Sequence, residues 1–411
     1  MHEEFAKQTQ EFVRRMEGLS RVLPALSVLL QHSVKETGKQ CNAFLEAHAT
    51  SKDVKGTKTY SISPDHHAAF YRMDREFHHL NEARELLPPM FLVALVSQFD
   101  AHIGRLIRFI YTAHDEKMRS SKRRIEYSTL ENLSTIQEAK DYLIERQIES
   151  VLRKSHSIQF EWMEKLLGCK LTHNLDAWPH FVELTERRNL FVHCDGVVSH
   201  QYLNVCKKHS SPIDPDTKAG SRLECPQKYF DRAYRTLYEI GIKLAQVIWR
   251  RYDAKNLTAA DTALIVTTYD LICSKEYLIA IPLLEFAVAP TTLHSSAELK
   301  ATLQLNLAQA YKWNNQADRC TAALGSVDWS DKEDKFKLGQ AVLSNDFNSA
   351  ETIMKKIGRE GSITKTYYRD WPIFTDFRES EQFKRAFQEI FGEAFKKGDL
   401  EAKAPDLAPP K

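Results

Sequence analysis

Leu92, Leu95, Val96, Phe99, Ile103, Leu106, Ile107 and Ile110 follow one another mostly at steps of three and four residues. On an α-helix that spacing draws one broad apolar stripe. Met90 to Tyr111 is therefore expected to be a helix in the core of a bundle. Related spacing continues in both directions. Phe5, Phe12, Met16, Leu19, Leu23 and Leu26 predict one or two helices from residue 4 to about 50. Pro64-Asp65 opens another run, expected to stop at Leu87-Pro88-Pro89 because proline lacks an N–H and crowds the preceding turn. Further helices are predicted over Ile136–Leu152, Phe160–Leu167, Pro179–His193 and Asp231–Tyr252. The last carries Tyr234, Leu237, Gly241, Leu244 and Ile248 on one face. With 14 glycines and 14 prolines in 411 residues, breakers are scarce and long helices are favoured. The expected fold class is all-α. The polar stretch Ser51 to Ser63 reads as an interruption, and residues 204–226, rich in Ser, Pro, Asp and Gly, read as a loop.

From about residue 256 the pattern shortens to helix pairs. Leu307-Ala308, Tyr311, Cys320 and Leu324 fit a tetratricopeptide unit, and Leu338-Gly339, Val342 and Ala350 fit it less fully. Ala280, Ala317 and Ala350 stand 37 and 33 residues apart, near the ~34-residue period of such repeats. The expected organisation is an N-terminal helical segment (1–84), a helical bundle (85–253), tetratricopeptide-like repeats forming a short α-solenoid (254–392) and a disordered tail (393–411). A solenoid of this kind is commonly a protein-binding surface.

The net charge of +2 gives no global attraction to nucleic acid, so any such binding must come from local patches. The start, Met1-His2-Glu3-Glu4, has no apolar signal region, and no apolar run is read as approaching the ~20 residues of a membrane span. Seven scattered cysteines without close pairs fit a reducing compartment. A cytoplasmic protein without membrane partners is expected. No metal or cofactor is assigned: His67, Asp74 and His78 share a helical face but lack a second ligand set.

The chemistry concentrates in Arg188-Asn189-Leu190-Phe191-Val192-His193. Here a permanent cation, an amide and a group that titrates near neutrality lie within two turns of one predicted helix. Asn189 and His193 are one turn apart and share a line. Arg188 falls instead on the stripe of Phe181, Leu184 and Phe191. A charge on a buried face is costly unless paired, and Asp100, beside the stripe of Met90–Tyr111, is the best candidate partner. Arg188 and His193 project about 140° apart, so one copy does not readily aim both at one phosphate. Two copies facing each other across a two-fold axis would.

Glu186-Arg187-Arg188-Asn189-Leu190-Phe191-Val192-His193-Cys194-Asp195-Gly196-Val197-Val198, followed by Tyr202-Leu203, resembles the HEPN superfamily (higher eukaryotes and prokaryotes nucleotide-binding). Its mark is an arginine, four to six residues and a histidine, with a polar residue after the arginine. The apolar helix with Ser97, Phe99 and Asp100 is similar to the first core helix of a prokaryotic branch, and the likeness spans roughly residues 85 to 250. The resemblance implies a helical bundle, a homodimer and metal-independent endoribonuclease activity, in the setting of antiviral defence or a toxin system. It implies that His193 acts as general acid or base, that Arg188 stabilises charge on the phosphate, and that Asn189 orients one of them. Other members only bind RNA or nucleotides. A non-catalytic binder and a protein-interaction scaffold therefore stay open, the scaffold reading making Arg188 an ion-pair residue and His193 a helix-end histidine.

Four further cations are candidate RNA contacts. Arg187 is either a solvated neighbour or a phosphate ligand. Lys122, Arg123 and Arg124 end a basic run that is either a solvated loop or a phosphate-gathering patch near the site.

Overall fold

The computed structural model describes residues 2–54, 57–113 and 124–396. Among these residues the fold is all-α apart from one two-stranded sheet. The chain divides into two compact units between Tyr252 and Asp253.

The first unit begins with α1 (His2–His48), of 47 residues, which is roughly 70 Å of helix at the standard rise. Strands β1 (Ala49–Val54) and β2 (Thr57–Ile62) form an antiparallel ribbon with Ala49 opposite Ile62. The polar stretch after Thr50 is thus a hairpin rather than a bare interruption. The chain returns as α2 (Pro64–Ala113), a single helix. The expected stop at Pro88-Pro89 does not occur, so position 84/85 lies inside a continuous helix. The prolines cost backbone hydrogen bonds, but α2 packs along α1 on both sides of them. Gly38 faces Phe77, and Phe12 faces Phe99 and His102. By the same register, Pro24 of α1 stands level with Pro88-Pro89.

An 18-residue window of α2 has a mean hydropathy of 1.4 and would pass for a membrane span by length and composition. Its apolar stripe is spent inside the protein: Leu92, Leu95, Val96, Phe99, Ile103 and Ile107 are buried. The bundle continues with α3 (Tyr127–Leu130), α4 (Ile136–Leu152), α5 (His156–Leu167), α6 (Trp178–His193), α7 (His200–Lys208) and α8 (Gln227–Tyr252). Thr135 caps α4 by accepting from the Glu138 N–H, while the Glu138 carboxylate accepts from Ser134. Helix α7 occupies the start of the stretch read as loop over 204–226.

Helices α1, α2, α4, α6 and α8 share the core. Phe5 lies against Phe109 of α2 and Trp249 of α8. Phe12 stacks on His102 at 4.2 Å. A Cβ at Gly241 of α8 would come within 2.6 Å of the Phe12 ring, so glycine is what lets α8 approach α1. Each large ring buried here contributes roughly 2–3 kcal/mol of transfer free energy. The His102 imidazole, wholly buried, is held neutral: burial and nearby Arg105 push its pKa down to about 3, against a small upward pull from the Gly241 carbonyl.

The second unit contains α9 (Leu257–Cys273), α10 (Tyr277–Val288), α11 (Ala297–Trp313), α12 (Ala317–Gly325), α13 (Asp334–Leu343), α14 (Phe347–Ile357), α15 (Lys365–Asp370), α16 (Thr375–Glu379) and α17 (Glu381–Phe391). The pairs α9–α10, α11–α12 and α13–α14 turn identically. Lys275, Asn315 and Asn345 adopt left-handed φ of 61°, 57° and 61°, and each following N–H closes on a carbonyl five residues back. Counting from these turns, the equivalent buried positions are Ala280, Cys320 and Ala350. Ala317, which the sequence period selected, is exposed. The fixed 34-residue spacing failed because the true steps between turns are 40 and 30 residues. The α9–α10 pair is tied to the following loop by buried Asp261, which meets His294 Nδ1 at 2.8 Å and accepts from the Ser295 N–H at 2.8 Å. Phe383 and Phe387 of α17 close the unit in an aromatic cluster with Tyr368, Phe374 and Phe377. The expected disordered tail lies, from residue 397 on, outside the described residues.

Candidate functional site

Helix α6 carries the Arg–His motif. Pro179 sits in its first turn, where a missing N–H costs nothing. The helix ends at His193 because the chain turns left-handed at Asp195 and Gly196, with φ of 49° and 75°. A Cβ at Gly196 would press on the Phe191 ring at 3.1 Å and the Leu223 carbonyl at 3.2 Å. This turn lets residues 196–198 pair with 220–223: Val198 N–H donates to Ser221 O, and Leu223 N–H to Gly196 O.

Arg188 is turned toward α2. Its Nη2 donates to Asp100 Oδ2 at 2.5 Å, and its Nη1 donates to Asn189 Oδ1 at 3.2 Å. The side chains of Arg188 and Asp100 are 19% and 23% exposed, so the pair sits at the edge of the core rather than inside it. The other Asp100 oxygen, Oδ1, lies 2.8 Å from His156 Nε2. The His156 side chain is 6% exposed and is flanked by the rings of Phe99 and Phe181. Glu186 adjoins the group and is largely buried. Burial pushes its carboxyl pKa above the ordinary value, while His156 and Arg188 pull it back.

The structure thus brings together Asp100, Arg188 and Asn189. His193 stands one turn after Asn189 on the same helix and shares no hydrogen bond with Arg188 or Asp100. His193 is exposed at the end of α6, and among the described residues its side chain makes no hydrogen bond or ion pair.

The reading of Arg187 as a solvated neighbour or phosphate ligand is corrected. Its Nε donates to Glu183 at 2.7 Å, its Nη1 donates to the Glu224 carbonyl at 2.8 Å, and its guanidinium lies 4.0 Å from the Tyr229 ring centre. Burial alone would weaken the charge, but Tyr229 and Glu183 raise its pKa above the usual arginine value. Arg187 is a strut inside the bundle. Glu183, 2% exposed, is the hub of that strut, since it also accepts from Tyr202 and Tyr229, both at 2.7 Å. Burial and the Glu183 carboxylate raise the pKa of both phenols.

Arg124 is exposed, while Lys122 and Arg123 lie outside the described residues. Among the described residues no group of three His, Cys, Asp or Glu side chains could hold a metal ion.

Sequence reasoning missed His156, Glu183 and Glu186. Glu183 lies four residues before Arg187, a helical ion-pair spacing that could have found it. Glu186 adjoins the motif. Nothing local marks His156.

Fold and site define an all-α protein in which one carboxylate at the bundle edge serves both an arginine and a histidine. No protein-family model matches the chain, and no curated protein or solved structure is significantly similar to it.

Proposed function

We propose that this chain is a metal-independent endoribonuclease of HEPN type. It works as a homodimer, with Arg188, Asn189 and His193 of each copy contributing to one composite site. The observation that carries the reading is the division of the motif. Arg188 is pinned to Asp100 at the bundle edge, with Asn189 on its flank, while His193 is exposed at the end of the helix and shares no hydrogen bond with that pair. One helix therefore holds half of an acid–base and electrostatic set, and a two-fold partner would supply the other half.

In such a site an imidazole takes the proton from a ribose 2′-hydroxyl as its oxygen attacks the phosphorus. The bond from phosphorus to the 5′-oxygen breaks, and an imidazolium returns a proton to that oxygen. The products are a 2′,3′-cyclic phosphate and a 5′-hydroxyl. Arg188 stabilises the charge gathering on the non-bridging oxygens. The helical repeats after residue 253 would govern the cutting through a protein partner or trigger, and the biological setting would be prokaryotic defence or toxicity.

The test is cleavage of a fluorescent RNA by the purified full chain in EDTA. Cutting that ends in cyclic phosphate and is lost in Arg188→Ala and His193→Ala supports the reading. RNA binding without cutting would favour a non-catalytic binder. A protein that neither binds nor cuts RNA would leave the scaffold reading.

A further inference from the structure

We infer that His156 is a positioning residue for Arg188, acting through the carboxylate they share. The inference rests on the nuclease reading for its effect on cleavage, and on geometry alone for its effect on Arg188.

Asp100 has two oxygens and the site uses them separately. Oδ2 accepts from Arg188 Nη2 at 2.5 Å, and Oδ1 meets His156 Nε2 at 2.8 Å. A carboxylate paired with arginine can only accept, so His156 Nε2 carries a hydrogen and donates it. Arginine and carboxylate usually prefer the two-pronged arrangement, in which two parallel N–H groups meet both oxygens. Here the second prong is missing. Arg188 Nε is buried and has no hydrogen-bond partner, and the oxygen that a second prong would reach is held by its bond to His156.

His156 is built to hold that oxygen. It opens helix α5, its side chain is 6% exposed, and Phe99 and Phe181 flank its ring with centroids at 6.3 and 5.5 Å. Such a ring cannot touch an RNA backbone, so it acts on the chemistry only through Asp100. Its action is to keep Arg188 gripped by one nitrogen. Asp100 then remains anchored toward α5, and the guanidinium keeps its present tilt with Nη1 at Asn189. Without His156, Asp100 rotates, Arg188 closes onto it through both Nε and Nη2, and the cation is drawn inward from its working position.

Three variants of the full chain test this. His156→Phe keeps a ring between Phe99 and Phe181 but removes the donor. His156→Met is a second donor-free variant, used if the first does not fold. His156→Gln restores an N–H near the Nε2 position. The expected result for the donor-free variant is a fall in kcat of about 10- to 100-fold, the scale of an ångström misplacement of a catalytic group, with KM changed less than threefold. His156→Gln should recover most of kcat. Wild-type cleavage in the donor-free variant, or failure of glutamine to rescue its loss, overturns the inference. Crystal structures of the variants read the same point without RNA. The donor-free variant should show Arg188 Nε within hydrogen-bond distance of Asp100, and the glutamine variant should not. If the wild-type chain cuts no RNA, the nuclease reading falls, and the position of Arg188 in these structures alone decides the role of His156. An unmoved Arg188 overturns it.

Discussion

Glu183→Ala is the substitution with the largest expected structural effect around the motif helix. One carboxylate, 2% exposed, accepts from Arg187 and from the hydroxyls of Tyr202 and Tyr229, each at 2.7 Å. Removing it strands a buried guanidinium, which costs about 3–5 kcal/mol by itself. Two stranded hydroxyls would add about 1–3 kcal/mol each if independent, but all three donors share one acceptor, so these costs overlap. Arg187 also keeps the Glu224 carbonyl and the face of Tyr229. A net loss of about 4 kcal/mol is expected, a large part of the ~5–15 kcal/mol that holds a typical domain together. Native-state hydrogen exchange read by mass spectrometry locates the effect. Peptides from α6, Trp178–His193, should lose about a thousandfold in protection, since ~1.4 kcal/mol is a factor of ten. Peptides from α11, Ala297–Trp313, serve as the internal reference. Glu183→Gln keeps an acceptor but loses the charge and should fall between. If α6 exchanges within about threefold of wild type in Glu183→Ala, the Glu183 hub does not hold the helix.

Two further outcomes are expected. The buried His102 has a folded pKa of about 3 against ~6.5 in the unfolded chain. Between those values the unfolded chain binds the extra proton, so stability falls as pH drops from about 6.5 toward 3, by up to roughly 1.4 kcal/mol per pH unit. Above that range the group contributes no slope. Melting temperature followed from pH 7 to 4.5 should fall less steeply in His102→Phe, which keeps a ring against Phe12; parallel profiles would contradict the assignment. Gly241→Ala places a methyl within 2.6 Å of the Phe12 ring and should cost about 1–3 kcal/mol. A reduced melting temperature checks this, and Phe12→Leu in the same background should recover part of the loss by making room.

The motif was partly legible in the chain. A permanent charge on the stripe of Phe181 and Leu184 requires a carboxylate across a helix interface, and Asp100 stands beside the facing stripe; the two meet at 2.5 Å. The second partner of that carboxylate was not legible. His156 lies 56 residues from Asp100, on a helix whose own pattern says nothing of where that ring points. Arg187 misled for a related reason. An arginine beside a candidate active site reads as a phosphate ligand until Tyr202 and Tyr229, from two other helices, are seen to close around its partner Glu183.

Periodicity by itself determined the all-α class and most helix positions, because burying one face of a helix imposes three- and four-residue spacing wherever in the fold that helix lies. It also determined that Arg188 would need an acid. Tertiary structure decided what local rules mispredict. Packing along α1 carries α2 through Pro88 and Pro89, since contacts on both sides outweigh a few lost backbone bonds. The strands Ala49–Val54 and Thr57–Ile62 pair where two long antiparallel helices bring their ends together. Being largely exposed, they carry no alternating apolar signal. The same holds for the site. Hydrogen bonds among Asp100, His156 and Arg188 depend on three helices meeting at one point, and a one-dimensional pattern does not encode such a meeting.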